Sequence, residues 1–305
     1  MIFAILNSQS YPIPRTHYLH VVKFAKGFEQ NGYNFIEIKK IEDILLLTQN
    51  SFIYISNHYF VSKSHILFRK ILHKKLLESL KKTKATPLFW GFHDIPEIQK
   101  HFIDKSHLYL TENFSHDFAK NLEKLNFYED KRFYKLKYSS CLDDRNSFLS
   151  LPSKKEKIIY DFNFIGSRYK TTLLNSINSN RNYKSCILFY PPMQNEIIRV
   201  SSYSKSKINL VFNSDENISK GFFTERFPEA LSMGNLLIHD SPAIDKGFKS
   251  EGVIYTYILP EILDIAKNTT IKRALEISEL NYKKWQSTDL SYRKQAIKII
   301  NKSKK

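Results

Sequence analysis

Cysteine is scarce in this chain of 305 residues: there are two, Cys141 and Cys186, far apart and without metal or redox spacing. A disulfide scaffold is thereby excluded, and a reducing compartment fits best. Glycine is also rare, with 8 residues, and the segment after the first apolar run, "NSQSYPIPRTHYLH", contains none. No apolar run approaches the ~20 residues that a membrane-spanning helix needs. The opening "MIFAILNSQSYPIP" has no basic stretch ahead of its apolar one and no convincing cleavage site, so it reads as a first strand and not a signal peptide. These absences predict a soluble, cytoplasmic protein. Acidic residues are outnumbered too: 47 Lys and Arg face 30 Asp and Glu, for a net charge of +17. Such a balance favours anionic partners, namely phosphorylated substrates, a lipid surface or nucleic acid. The Lys-, Ile- and Asn-rich usage also resembles the bias of an AT-rich genome.

What the chain has in quantity is apolar bulk. A hydrophobic content of 42%, with 23 Phe and 18 Tyr, is enough for substantial cores. By length it holds two domains or one large one. Short apolar runs alternate with helix-like stretches. In the first half the predicted strands are "IFAIL", "NFIEIK", "SFIYISN", "TPLFWGF", "HLYLT" and "RFYKLKY". A helix over "THYLHVVKFAKGFEQNGY" presents Val21, Phe24, Ala25 and Phe28 on one face and stops at Asn31-Gly32. A second, at residues 64–84, has an apolar stripe of Phe68, Leu72, Leu76 and Leu80 among Arg69, Lys70, Lys74, Lys75, Lys81 and Lys82.

The polar stretch "CLDDRNSFLSLPSKKEK" (residues 141–157) reads as a hinge. After it the alternation resumes: strand "DFNFIGS", helix "KTTLLNSINS", strand "SCILFY", helix "QNEIIRVSSYSKS", strand "INLVFN", a helix in "TERFPEALSMG", and strand "NLLIHD". Helices around Pro260–Lys267, Ile271–Leu280 and Leu290–Lys302 close the chain. Alternating strands and helices predict parallel sheets covered on both faces. The expected architecture is α/β: two doubly wound, Rossmann-like domains facing a cleft, with a C-terminal helix crossing back. The boundaries expected are residues 1–145, 146–286 and, for the returning helix, 287–305. Ligands of such sheets bind beyond the carboxyl ends of the strands.

The most informative stretch is "GFFTERFPEALSMGNLLIHDSPAI" (residues 221–244). Read as a capped helix, it has Thr224 as N-cap, Glu225 in an acidic first turn, Pro228 near the start and Gly234 at the end. Capping leaves Arg226 unexplained, because a cation in a first turn opposes the helix dipole. An anion bound at the same place removes the conflict: free amides and a guanidinium together hold a pyrophosphate. Glu229, one turn along, is placed to accept hydrogen bonds from sugar hydroxyls.

"TERFPEALSMGNLLI" resembles the R-x-x-E-A-L-x-x-G-x-L-L-I pattern of GT-B-fold glycosyltransferases, in their group-1-like and spore-maturation (CgeB-like) branch. Arg226, Glu229, Ala230, Leu231, Gly234, Leu236, Leu237 and Ile238 match in register. Where that branch often carries Phe before the glutamate, this chain has Pro228. The resemblance implies that Arg226 binds the donor diphosphate and Glu229 the donor ribose, with Thr224 and Glu225 beside them. "DFNFIGSRYKTTLL" resembles the segment that opens the family's C-terminal domain, which would put Gly166, Ser167, Arg168 and Lys170 next to the donor phosphates. "YSKSKINLVFN" resembles the segment just ahead of the donor motif.

The resemblance implies a metal-independent sugar transferase with no cofactor, a nucleotide diphosphate sugar as co-substrate, and a glycan or glycolipid hydroxyl as acceptor. Arginines and helix amides would then stabilise the leaving diphosphate. "WGFHD" ends a strand of the first half, so His93 or Asp94 is a candidate general base on the acceptor, against a capping role for Asp94. Arg15 and His17 are acceptor-side candidates, although the glycine-rich loop that many group-1 enzymes have there is missing. "LDDR" and "NSDEN" sit in polar loop stretches and carry no metal pattern.

The basic helix at 64–84 is either a solvated face or a surface for an anionic glycan, glycolipid or the inner membrane. Two other readings stand beside the first. A fucosyltransferase-type enzyme with a guanosine-diphosphate sugar has "TEK" where this chain has "TER". A basic nucleic-acid binder, or a sugar transferase acting on DNA, would use the charge directly.

Overall fold

The computed structural model describes residues 1–8, 13, 15–56, 66–83, 85–91, 108–111, 133–135, 158–189, 202–219, 223–224 and 226–303. The chain forms two units, one of Met1–Lys137 with Tyr292–Lys305 and the other of Tyr138–Ser291. Each is built on an all-parallel sheet, the α/β arrangement that the alternating pattern predicts.

The first sheet runs β2-β1-β3-β4-β5-β6, from β1 (Ile2–Leu6), β2 (Asn34–Ile38), β3 (Phe52–Ser56), β4 (Thr86–Gly91), β5 (Leu108–Thr111) and β6 (Phe133–Lys135). Its order reverses at β1, with β2 on one side and β3 onward on the other. Phe3, Ala4, Ile5 and Leu6 are all fully buried, as a continuous apolar strand in a sheet covered on both faces must be. Helix α1 (Arg15–Glu29) lays Phe24 and Phe28 on Phe3, with ring centroids 5.8 and 4.3 Å apart, and Phe28 also meets Phe52 at 5.2 Å. Each such ring stabilises the unit by roughly 1.5–3 kcal/mol through burial. Helix α2 (Ile66–Thr83) buries Leu76 and Leu80 while Lys74, Lys75, Lys81 and Lys82 are exposed. The side chains of Phe68, Arg69, Lys70 and Leu72 lie outside the described residues, as does the 141–157 segment.

The second sheet runs β11-β10-β9-β7-β8, from β7 (Tyr160–Gly166), β8 (Ser185–Phe189), β9 (Ser206–Val211), β10 (Leu236–His239) and β11 (Val253–Tyr255). The two-residue alternation of these strands divides their side chains between two cores. Ile165, Val211, Leu237 and Val253 face one core, with Phe227, Ala230, Leu231 and Met233 of α5 (Arg226–Met233), Ile244 of α6 (Pro242–Phe248) and Trp285 of α8 (Ile271–Ser287). Phe162, Phe164, Ile208, Leu210, Leu236 and Ile238 face the other, with Leu174 and Ile177 of α3 (Thr171–Asn178) and Ile262 and Ala266 of α7 (Leu259–Asn268). Helices therefore cover both faces, which is what doubly wound means.

The last helix, α9 (Tyr292–Ser303), belongs to the first unit and packs on α1. Tyr292 meets Phe24 edge-on at 5.8 Å, and Asn31 Nδ2 donates to the carbonyls of Gly27 (2.7 Å) and Arg293 (3.1 Å). The closing helix thus crosses back to the N-terminal sheet, as expected.

Several local expectations need correction. "NSDEN" is not wholly loop: it contains the short helix α4 (Asp215–Ser219). The helix expected over "QNEIIRVSSYSKS" cannot extend to its end, because β9 begins at Ser206. Strand β11 was not anticipated, being only three residues long. Gly234 follows α5 without a left-handed turn. It is required for space, since a Cβ there would stand 2.5 Å from the Ala230 carbonyl and 2.6 Å from Asn209 Nδ2.

Candidate functional site

The second sheet reverses its order at β7, so the chains leaving β7 and β9 diverge at their carboxyl ends. Ligands of open α/β sheets bind at such a point. Arg226, the first residue of α5, reaches it with only 8% of its surface exposed. Its Nη1 donates to the Ile165 carbonyl at 3.3 Å and its Nε to Thr224 Oγ1 at 3.0 Å. The guanidinium lies 5.6 Å from the Phe164 ring centroid and 5.9 Å from that of Tyr169. Gly166 is what makes room: a Cβ there would stand 2.2 Å from Arg226 Nη1.

The turn after β7 adds further groups to this edge. Ser167 is half-buried and Arg168 exposed, its guanidinium 5.8 Å from the Phe189 ring centroid. Lys170 takes a left-handed backbone conformation (φ 49°) at the start of α3. Its Nζ is 3.1 Å from Asp215 Oδ1 and 5.7 Å from the Tyr257 ring centroid. Glu229, one turn into α5, is 2% exposed. Pro228 is third in the helix, where no intrahelical N–H bond is lost.

The sequence-derived candidates therefore fall into three groups. Gly166, Ser167, Arg168, Lys170, Thr224, Arg226 and Glu229 come from the end of β7 and the start of α5. Glu225, His93 and Asp94 lie outside the described residues. Arg15 and His17 stand on α1 of the other unit, with side chains outside the described part. Thr224 differs from expectation. The helix begins at Arg226, so Thr224 stands one residue before the capping position, and its Oγ1 receives the Arg226 side chain.

Two polar clusters escaped sequence reasoning. At the ends of β9 and β10, Asp240 Oδ1 accepts from the Asn213 backbone N–H (2.9 Å) and from Asn213 Nδ2 (3.2 Å). Burial pushes the Asp240 carboxyl above its ordinary value, against the Asn213 hydrogen bonds and the nearby Lys170 charge. His239 is fully buried, its Nδ1 accepts from the Ser241 N–H at 3.3 Å, and burial pushes it down to about 4. It is therefore neutral near pH 7, with the proton on Nε2.

The second cluster is in the first unit, where Glu37 of β2 accepts from Asn7 Nδ2 (2.5 Å) and Tyr18 OH (3.4 Å) and pairs with Lys39 Nζ (2.5 Å). Burial alone would raise the Glu37 carboxyl, but the hydrogen bonds from Lys39, Asn7 and Tyr18 hold it below its ordinary value. Such a carboxylate is a poor proton acceptor. Among the described residues no three His, Cys, Asp or Glu side chains assemble as a metal site, and no helix is long and apolar enough to cross a membrane.

No protein-family model and no curated protein sequence matches this chain. Solved structures do. An α-glucosyltransferase in complex with UDP-glucose and DNA containing an abasic site has a TM-score of 0.62 at 12% identity, over 99% of each chain. A glycosyltransferase from Rickettsia africae ESF-5 has a TM-score of 0.57 at 10% identity, over 99% of this chain and 97% of its own. The DNA-modifying enzyme β-glucosyltransferase, with and without uridine diphosphoglucose, has a TM-score of 0.52 at 12% identity, over the whole of both chains. At these identities the likeness is one of fold, and the fold that this chain has is GT-B.

Proposed function

We propose that this protein is a glycosyltransferase that moves a sugar from a nucleotide diphosphate sugar to a hydroxyl acceptor. The observation that carries the reading is Arg226, a buried guanidinium at a helix start, seated against Gly166 and the Ile165 carbonyl where the sheet order reverses. A guanidinium beside the free amides of a first turn makes a ready set of donors to an anion. The diphosphate occupies this place, with Arg168 and Lys170 adding charge from the turn after β7. Glu229 takes the ribose hydroxyls. As the sugar leaves, negative charge grows on the diphosphate, and these fixed cations and amides stabilise it most when it is greatest.

His93 or Asp94 serves as base toward the acceptor hydroxyl, and Arg15 and His17 contact the acceptor. The group-1-like and spore-maturation branch is the family we assign. The reaction on this reading needs neither a metal ion nor a cofactor. The structural neighbours named for uridine diphosphate sugars make UDP-glucose the first donor to try. Glu229→Ala tests the assignment: calorimetry should find donor binding severely weakened in a protein that still unfolds cooperatively. Unchanged affinity would remove Glu229 from the site. A guanosine-based donor, if it alone raises the unfolding temperature, favours the fucosyltransferase-type alternative.

The acceptor we first infer is a glycan or glycolipid at the inner membrane surface. A DNA acceptor has an observation of its own: the net charge of +17, on a chain whose whole length superposes on two glucosyltransferases named with DNA. Salt-dependent duplex binding together with sugar transfer to DNA would favour it. Transfer to a lipid-linked glycan alone would exclude it.

A further inference from the structure

Four buried side-chain atoms without a hydrogen-bond partner gather at the carboxyl ends of β9 and β10: Asn213 Oδ1, His239 Nε2, Asp240 Oδ2 and Ser241 Oγ. Buried polar groups in folded proteins are nearly always paired, so four at the ends of two neighbouring strands are unusual, and the hydrogen-bonded Asn213–Asp240 pair presents two such atoms together. Their chemistry restricts what can join them. Asn213 Nδ2 already donates to Asp240, which leaves Asn213 Oδ1 and Asp240 Oδ2 as acceptors. The Ser241 hydroxyl can be either donor or acceptor. A phosphate, which brings acceptors and negative charge, is repelled by Asp240. A polyol fits, because each hydroxyl both donates and accepts.

The surroundings favour a sugar as well. Tyr255 and Tyr257, at the end of β11, are 41% and 51% exposed, and the Tyr255 ring lies 5.6 Å from that of His239. Exposed rings of this kind offer apolar faces to the C–H side of a hexose. Lys170 spans the same edge between Asp215 and the Tyr257 ring. The Asp215 side chain is 91% exposed, so this ion pair is a weak surface one that a diphosphate readily displaces.

We propose that Asn213, Asp240 and Ser241 form the subsite that recognises the hydroxyls of the transferred sugar. The proposal rests on the donor-site reading above and adds to it the residues that select the sugar. Ser241 stands at the start of α6 but makes no side-chain cap bond, so its hydroxyl is available for this role. Asp240→Asn keeps the acceptor oxygen toward Asn213 and replaces only the unpaired one.

The experiment titrates wild type, Asp240→Asn and Ser241→Ala by calorimetry with uridine diphosphate and with UDP-glucose. The guanosine diphosphate and GDP-mannose pair follows if the uridine pair is silent. Both variants should bind the diphosphate within about twofold of wild type, because the subsite does not touch it. Sugar-nucleotide affinity should fall about tenfold in Asp240→Asn and about threefold in Ser241→Ala. Their unfolding temperatures should stay level or rise, since neither change removes a hydrogen bond the protein now makes. Equal losses for diphosphate and sugar nucleotide would mean a structural role, and no loss for either would mean no role; both overturn the proposal. A wild type that binds no nucleotide at all fails at an earlier stage, and sinks the donor-site reading with the subsite that depends on it.

Discussion

The two sheets carry polar clusters at corresponding ends, yet the clusters are in opposite states. In the first unit Glu37 is surrounded by donors from Asn7, Tyr18 and Lys39, and Asn7 Oδ1 accepts from the Ile13 N–H at 3.0 Å. In the second, Asp240 is satisfied on one oxygen only, and its neighbours Asn213, His239 and Ser241 each keep a buried atom without a partner. A complete network stabilises a fold and leaves nothing for a ligand. An incomplete one destabilises the free protein and is tolerated where a ligand completes it, as happens at functional sites. The contrast separates architecture from recognition without reference to what any relative does.

The largest effect that would break this contrast is at Glu229. Glu229→Ala should weaken sugar-nucleotide binding at least about a hundredfold, or ~3 kcal/mol, while stability in urea changes far less. Next is the pH response of His239. Its folded value of about 4 lies below the ordinary 6.5, so its contribution to stability is full above pH 6.5 and lost as pH falls toward 4. Between pH 6.5 and 5 wild type should lose about 1.5 kcal/mol relative to His239→Asn, whose Oδ1 can replace Nδ1. Parallel urea midpoints of the two proteins would remove His239 from the account. Asp240, raised by burial, acts with the opposite sign, and the variant comparison cancels it.

Glu37→Ala sharpens the other side. It should cost about 1–2 kcal/mol in urea, through donors left unpaired, and leave nucleotide affinity unchanged in calorimetry. The smallest expected effect is at Gly166. Gly166→Ala displaces the end of a flexible side chain and no backbone, so affinity for the diphosphate should fall about tenfold, ~1.4 kcal/mol, with little change in unfolding temperature.

How much of this could be read from the sequence depended on whether the signal was local. β1 and α1 were legible because five apolar residues in a row and a helical stripe of Val21, Phe24, Ala25 and Phe28 identify themselves. Arg226 stands out because a cation at a helix start contradicts the dipole within a single turn, and it is buried at the first residue of α5. β11 was missed because three residues carry no period, and α4 because five polar residues resemble a loop. The Asn213–Asp240 pair was invisible for a different reason. Its members are separated by 27 positions and meet only through the register that sets Val211 of β9 beside His239 of β10. The same holds for Asn7 and Glu37, brought together by the pairing of β1 with β2. A parallel sheet creates such neighbours through crossovers, and no single stretch of sequence records them.

Amide hydrogen exchange with and without a bound sugar nucleotide tests the whole picture in one measurement. Exchange should slow at 165–170, at the start of α5, and at 213–215 with 240–241, while 34–39 of the first unit is unchanged. Slowing confined to 34–39, or absent from both 213–215 and 240–241, would contradict the assignment of the incomplete cluster to ligand recognition.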